Sequence, residues 1–275
     1  MKQLGLFVAV LPLFGCSPID NEMALKKPLY SHAEHQSQKS VNYEKEILNP
    51  YINEKRVKSQ PLNVTRINKI VNVVPKPDSI LLDVPIINQN PELKFGCEVT
   101  SLAMVLNYAG VTVSKMDLYR SIQKETDPLI RTSKGDILRW GNPEYGFVGD
   151  MTGRRAGTTV FDKPLISLIN NKLPGRAVNL TNQPFEQVLE HVEAGYPVVV
   201  WTTLDYGLPK RWETWKHGQQ VVRVPLDLHA VVLVGYDNNN VYLNDPLSGK
   251  KQVKVQKEQF ISSWKSLCSR AVSYK

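Results

Sequence analysis

The sequence predicts an α+β domain, and three observations carry that prediction. Helical patterns come first, led by an apolar face at Val99, Leu102, Ala103 and Leu106 that stops at Gly110. Strand-like apolar runs come last, from Pro197 to the C-terminus. Helices followed by an antiparallel set of strands is the α+β order rather than the alternation of a parallel sheet. The stretch from about Ser79 onward is also long enough to bury one sizeable core.

Three regions follow from composition. Residues 1–16, MKQLGLFVAVLPLFGC, have a short basic start and an apolar stretch too short to span a bilayer, as in a secretory signal. Leu13-Phe14-Gly15-Cys16 resembles a bacterial lipobox, so lipidation of Cys16 and a place on the outer side of the cytoplasmic membrane are expected. Residues 17–78 are polar, mixed in charge and without sustained periodicity, and read as a mostly disordered stalk. His32 and His35, within it, have no partners of metal-ligand spacing. Residues 79–275 are the folded domain.

Within that domain the first helix opens at Cys97. Ser114 with Asp117 makes a capping signature for a second helix through Ile122. Residues 123–159 are rich in glycine and turn formers and read as a long irregular segment that covers substrate. Residues 164–171 and 184–194 read as short helices, each with Pro near its first turn. Strands are expected at 197–203, 220–224, 229–236, 241–244 and 252–255, with a last helix at 257–265 before a closing strand.

The chemistry concentrates in four residues. Cys97 follows Gly96 at a helix start, where unpaired N–H groups and the helix dipole favour the thiolate. Gln89, eight residues upstream, carries an amide able to donate to an oxyanion. His229 opens an apolar run that ends at Gly235, and Asp245 closes the next short strand before a Pro-containing turn. A cysteine, then a histidine on one strand, then an aspartate on the following strand, is the chain order of a thiol hydrolase. Taken singly, each of these residues is more often a satisfied core residue. Asn244 is an alternative partner for His229, but strand alternation allows only one of Asn244 and Asp245 to face it. Glu98 either tunes the thiol or merely suits a helix N-terminus. Trp201, Trp212 and Trp215 either line an apolar groove or pack beneath a long hairpin. His191 and His217 lack a ligand or catalytic setting and read as structural.

The segments LDVPIINQNPELKFGCEVTSLAMVLNYAGV, GNPEYGFVGD, YPVVVWTT and LHAVVLVGYDNNNVYLNDPLSGK resemble the cysteine peptidase family 39 superfamily, in its stand-alone branch, from about Leu81 to the C-terminus. The resemblance implies a papain-like α+β fold with Cys97 as nucleophile, His229 as base, Asp245 orienting His229, and Gln89 in the oxyanion hole. Better-studied relatives are fused to transporters and cut bacteriocin leaders after a double glycine. This chain has neither a transmembrane bundle nor a GxxxxGK[ST] phosphate loop, so that substrate does not transfer with the resemblance.

The expected function is therefore cleavage of peptide bonds outside the cytoplasm. A non-catalytic binding module on the same fold, and a cell-wall amidase or transpeptidase, stay open. The expected partners are a peptide or protein substrate and a membrane reached through the lipid anchor. The chain is read as a monomer with no metal or organic cofactor. Lys and Arg outnumber Asp and Glu by 34 to 26, a net charge of +8. With no basic helix interleaved with aromatics, nucleic acid is set aside as a partner, and an anionic surface accounts better for the charge. With Cys16 lipidated, Cys97 and Cys268 are left, and a bond between them would block the nucleophile. Cys268 is therefore expected to be a buried free thiol.

Overall fold

Helix α1 (Cys97–Tyr108) runs through the centre of the folded domain. In the computed structural model, which describes residues 77–275, it is buried from Cys97 through Leu106. The predicted one-sided apolar face is thus only part of the picture: Glu98, Thr100 and Ser101 are as deeply buried as Val99 and Leu102. A helix enclosed on all sides is a core helix. Past Ala109, Gly110 takes φ +85°, a left-handed conformation that favours glycine and ends the helix. Helix α2 (Lys115–Ser121) opens as predicted: the Asp117 N–H donates to Ser114 Oγ at 3.1 Å, and the Ser114 N–H donates to the Asp117 carboxylate at 3.0 Å.

The main sheet is antiparallel. It is built from β1 (Ile80–Leu81), β6 (Ala177–Asn179), β7 (Val198–Thr203), β10 (Leu228–Tyr236), β11 (Asn240–Asp245), β12 (Lys250–Gln256) and β13 (Ala271–Tyr274), in the order β12-β11-β10-β7-β13-β6, with β1 on β10. Strand β10 is buried from His229 to Tyr236 and pairs with β7 in the register His229 to Thr202. Helices α1 and α4 (Phe185–Glu193) pack on β10 and β7, α3 (Asp162–Lys172) packs on α1, β6 and β13, and α5 (Lys257–Ser266) packs on β7, β11 and β12. These helices and the long strands lie within a few residues of their predicted ranges, because each carries a sustained apolar period.

Residues 123–159 depart from expectation. They contain β2 (Lys124–Glu125), β3 (Ile130–Arg131), β4 (Ile137–Arg139) and β5 (Phe147–Val148). Strands β3 and β4 join β8 (Trp212–His217) and β9 (Gln220–Pro225) in a second, four-stranded sheet, while β2 pairs with β5 in parallel. A satellite core of Trp140, Val148, Trp215, Val222 and Val224 sits under that sheet. Strands of two or three residues leave no readable period, which is why they escape sequence reading.

Cys268 corrects another expectation. It lies in the left-handed turn out of α5, with φ 62°, half-buried and disulfide-bonded rather than a buried free thiol. Cys97 is the free cysteine among the described residues. The segment read as a signal, Cys16 and the expected stalk up to residue 76 lie outside the described residues.

Candidate active site

Two strand ends bring His229 and Asp245 together. His229 Nε2 lies 2.7 Å from Asp245 Oδ1, with both side chains almost fully buried. The turn after β11 completes the carboxylate's shell: Oδ1 accepts the Leu247 N–H at 2.9 Å, and Oδ2 accepts the Ser248 hydroxyl at 2.6 Å. Burial by itself raises an acid's pKa, but here the His229 hydrogen bond and charge, with Ser248 and Leu247, outweigh it and hold Asp245 down at about 2. Asn244 points the other way, as strand alternation requires. Its amide donates to Val84 O at 3.0 Å and its oxygen accepts the Gln252 N–H at 2.9 Å.

Gly96 sets the approach to Cys97. A Cβ on Gly96 would stand 2.5 Å from Leu93 Cβ, so the tight turn that closes with the Gly96 N–H on Leu93 O needs a glycine. The Cys97 sulfur is then enclosed. Its thiol donates to Glu98 Oε2 at 3.4 Å, and the backbone N–H of Ala230, the residue after His229, also faces it. Burial first, and the Glu98 charge second, push the thiol well above its usual range. Both effects run against the thiolate that a helix N-terminus favours. Asp245 occupies Nε2 of His229, so Nδ1 is the ring nitrogen that this bond leaves open. No Cys97–His229 hydrogen bond is formed.

Gln89 is tied to the same turn as Asp245. Its N–H donates to Pro246 O at 2.8 Å, and its side-chain Nε2 donates to Lys94 O at 2.9 Å. The second N–H of that amide is left for another acceptor, while Oε1 is buried without a partner. Lys115 fixes this loop by donating to Asn88 O and Gln89 O at 2.6 and 2.9 Å. No sequence signal links Lys115 to the site, because the contact spans 26 residues.

One further residue escaped the sequence reading, and another is given its surroundings. Tyr206, in the turn after β7, brings its hydroxyl to Asp245, and burial followed by the Asp245 charge pushes its phenol up. Glu98, left between two readings by the sequence, is a buried carboxyl in contact with the sulfur.

The tryptophans form no common groove wall. Trp201 is fully buried in the main core and donates to Val160 O at 3.2 Å. Trp215 sits in the satellite core 5.7 Å from Trp140, and Arg223 covers the ring of Trp212. His191 binds Tyr274 O, and His217 lies 3.3 Å from Asp127. A cavity of about 350 Å³ opens among Glu125, Asp127, Leu129, Trp140, Asp150 and Arg155. None of Cys97, Gln89, His229 and Asp245 lines it.

The Peptidase_C39 like family matches residues 81–272. The uncharacterized protein YvpB of Bacillus subtilis (strain 168) is 39% identical over 195 residues, which cover 70% of this chain and 74% of that protein. A crystal structure from Bacillus anthracis, assigned to the C39-like peptidases, superposes with a TM-score of 0.66 at 40% identity. It covers 72% of this chain and 98% of its own. A cysteine protease of Carica candamarcensis aligns with a TM-score of only 0.36 at 14% identity, too distant to argue from.

Proposed function

Because the chain belongs to the Peptidase_C39 like family, we propose that it is an exported thiol hydrolase that cleaves peptide bonds, with Cys97, His229, Asp245 and Gln89 as its working residues on a papain-like arrangement. The observation that carries this reading is the buried 2.7 Å hydrogen bond between His229 and Asp245, one residue along β10 from the Ala230 N–H at the Cys97 sulfur. The basic and apolar start of the chain supports export.

The chemistry is acyl transfer. The Cys97 proton passes to His229 Nδ1 and the sulfur attacks the scissile carbonyl carbon. The oxyanion meets the second N–H of Gln89 Nε2 and the backbone N–H of Cys97. The carbon–nitrogen bond breaks as His229 returns the proton to the leaving amine. Water, deprotonated by the same ring, then hydrolyses the thioester. Asp245 holds the ring with Nε2 bound and stabilises its charged form.

Incubating the purified chain with a defined peptide mixture, with and without an added amine, tests the reading by mass spectrometry of the products. Cleaved peptides with free carboxyl ends are expected, absent with Cys97→Ala. Amide-capped ends in the presence of amine would reassign the chain as a transpeptidase. No product under either condition would remove the hydrolase reading.

A further inference from the structure

Glu98 touches the sulfur, yet the acyl transfer above gives it no task. Its side chain has no solvent exposure. One carboxyl oxygen accepts the Thr159 hydroxyl and, at 3.2 Å, the Val160 N–H, while the other accepts the Cys97 thiol at 3.4 Å. The Thr159–Val160 strap is fixed in turn by Trp201 of β7, which donates to Val160 O. No cation pairs with Glu98 among the described residues. From α3, Asp162 is engaged with Arg270 and Asn179, and from α2, Asp117 and Arg120 pair with each other. Strand β10 presents the Ala230 backbone to the sulfur. Cys97 is therefore the titratable group that Glu98 contacts.

We propose that Glu98 is a positioning residue for the nucleophile: it parks Cys97 as a resting S–H, and attack requires the sulfur to leave this carboxyl and turn to His229 Nδ1. The inference rests on Cys97 being the nucleophile. An uncompensated buried carboxyl in contact with a thiol shares a proton with it. With the proton on sulfur, the carboxylate accepts. With the proton on oxygen, the carboxyl donates to a thiolate, and no proton is gained or lost by the pair. A like charge on Glu98 opposes the thiolate, and an amide in its place has no such charge and can donate instead. Burial pushes the Glu98 carboxyl up, which suits the proton-sharing state.

The test is the pH dependence of Cys97 alkylation by iodoacetamide on the full-length, unreduced chain, read by peptide mass spectrometry. Glu98→Gln keeps an acceptor for the Val160 N–H and removes the charge. Its alkylation midpoint should move down by about one pH unit or more, with roughly tenfold faster reaction at neutral pH. Thr159→Val, which leaves the charge on Glu98 in place and makes its carboxylate a stronger acceptor for the thiol, should move the midpoint up, the opposite way. It also decides the matter if Glu98→Gln does not fold. A purely structural Glu98 would lower the melting temperature and leave the midpoint where it is. An unmoved or raised midpoint in folded Glu98→Gln, or an unmoved or lowered one in folded Thr159→Val, overturns the proposal. A His229→Ala arm separates the two levels of argument. If alkylation and peptide cleavage depend on His229 but not on Glu98, only the positioning role fails. If neither depends on His229, the catalytic reading fails and takes this proposal with it.

Discussion

Two carboxylates flank the candidate site, and the fold treats them in opposite ways. Asp245, at the end of β11, accepts from an imidazole, a hydroxyl and a backbone N–H and is held at about 2. Glu98, in the first turn of α1, is sealed off with a hydroxyl, one backbone N–H and the thiol, and its carboxyl is pushed up. Burial opposes the charge on both, and more strongly on the fully enclosed Glu98. The difference is a positive partner: Asp245 has an imidazole able to carry charge, and Glu98 has no cation beside it among the described residues. The candidate site thus keeps a committed anion beside the proposed base and a carboxyl pushed up beside the proposed nucleophile.

The largest effect should come from removing what lies between them. Cys97→Ala or His229→Ala is expected to lower peptide turnover by about 10⁴-fold or more, measured with a cleaved peptide at saturation. Retained turnover in either variant would dissolve the comparison, because neither carboxylate would then flank a reacting centre. Gln89→Ala should cost roughly 10²-fold in kcat with little change in KM, since an oxyanion donor acts in the transition state. Asp245→Asn should cost on the order of 10²-fold, because the amide still accepts from His229 but no longer stabilises its charged form. An effect of Asp245→Asn no larger than that of Glu98→Gln would show that the two acids are not differentiated.

Stability should also respond to pH with opposite signs at the two positions. Asp245 falls from an ordinary 3.8 to about 2 on folding, so its contribution is present above 3.8 and is lost as pH falls toward 2. Glu98 is raised on folding, so its contribution is greatest below the ordinary carboxylate range and is lost as pH rises through its own higher value. Melting curves should therefore lose part of their acid-side slope in Asp245→Asn and part of their slope above the carboxylate range in Glu98→Gln. Identical slope changes would break the contrast. The smallest effect belongs to Ser248→Ala, which removes one of the donors to Asp245. A loss of about 1 kcal/mol from that hydrogen bond corresponds to roughly a fivefold fall in turnover, with the acid limb of the rate profile moved up in pH.

Short-range patterns in the sequence already determined much of this molecule. The apolar period of α1, the Ser114–Asp117 capping box and the long runs of β7 and β10 were legible because each depends on residues a few positions apart. Alternation along β11 likewise puts Asp245 and Asn244 on opposite faces, so that only one meets His229. Tertiary structure decided the rest. Glu98 meets Thr159 and Val160 across 61 and 62 residues, and Lys115 reaches the Gln89 loop across 26. Strands β3 and β4 of segment 123–159 share a sheet with β8 and β9, more than 70 residues further along the chain, and Trp215 of β8 lies in the core beneath it. The protonation state of Cys97 belongs to the same class. A helix N-terminus is a local feature that favours the thiolate, whereas burial and a neighbouring acid held by a distant strap favour the thiol. Local sequence sets which groups are present and which way each points along its own element. Desolvation and long-range donors set their charge, and these arise only once the chain has closed around them.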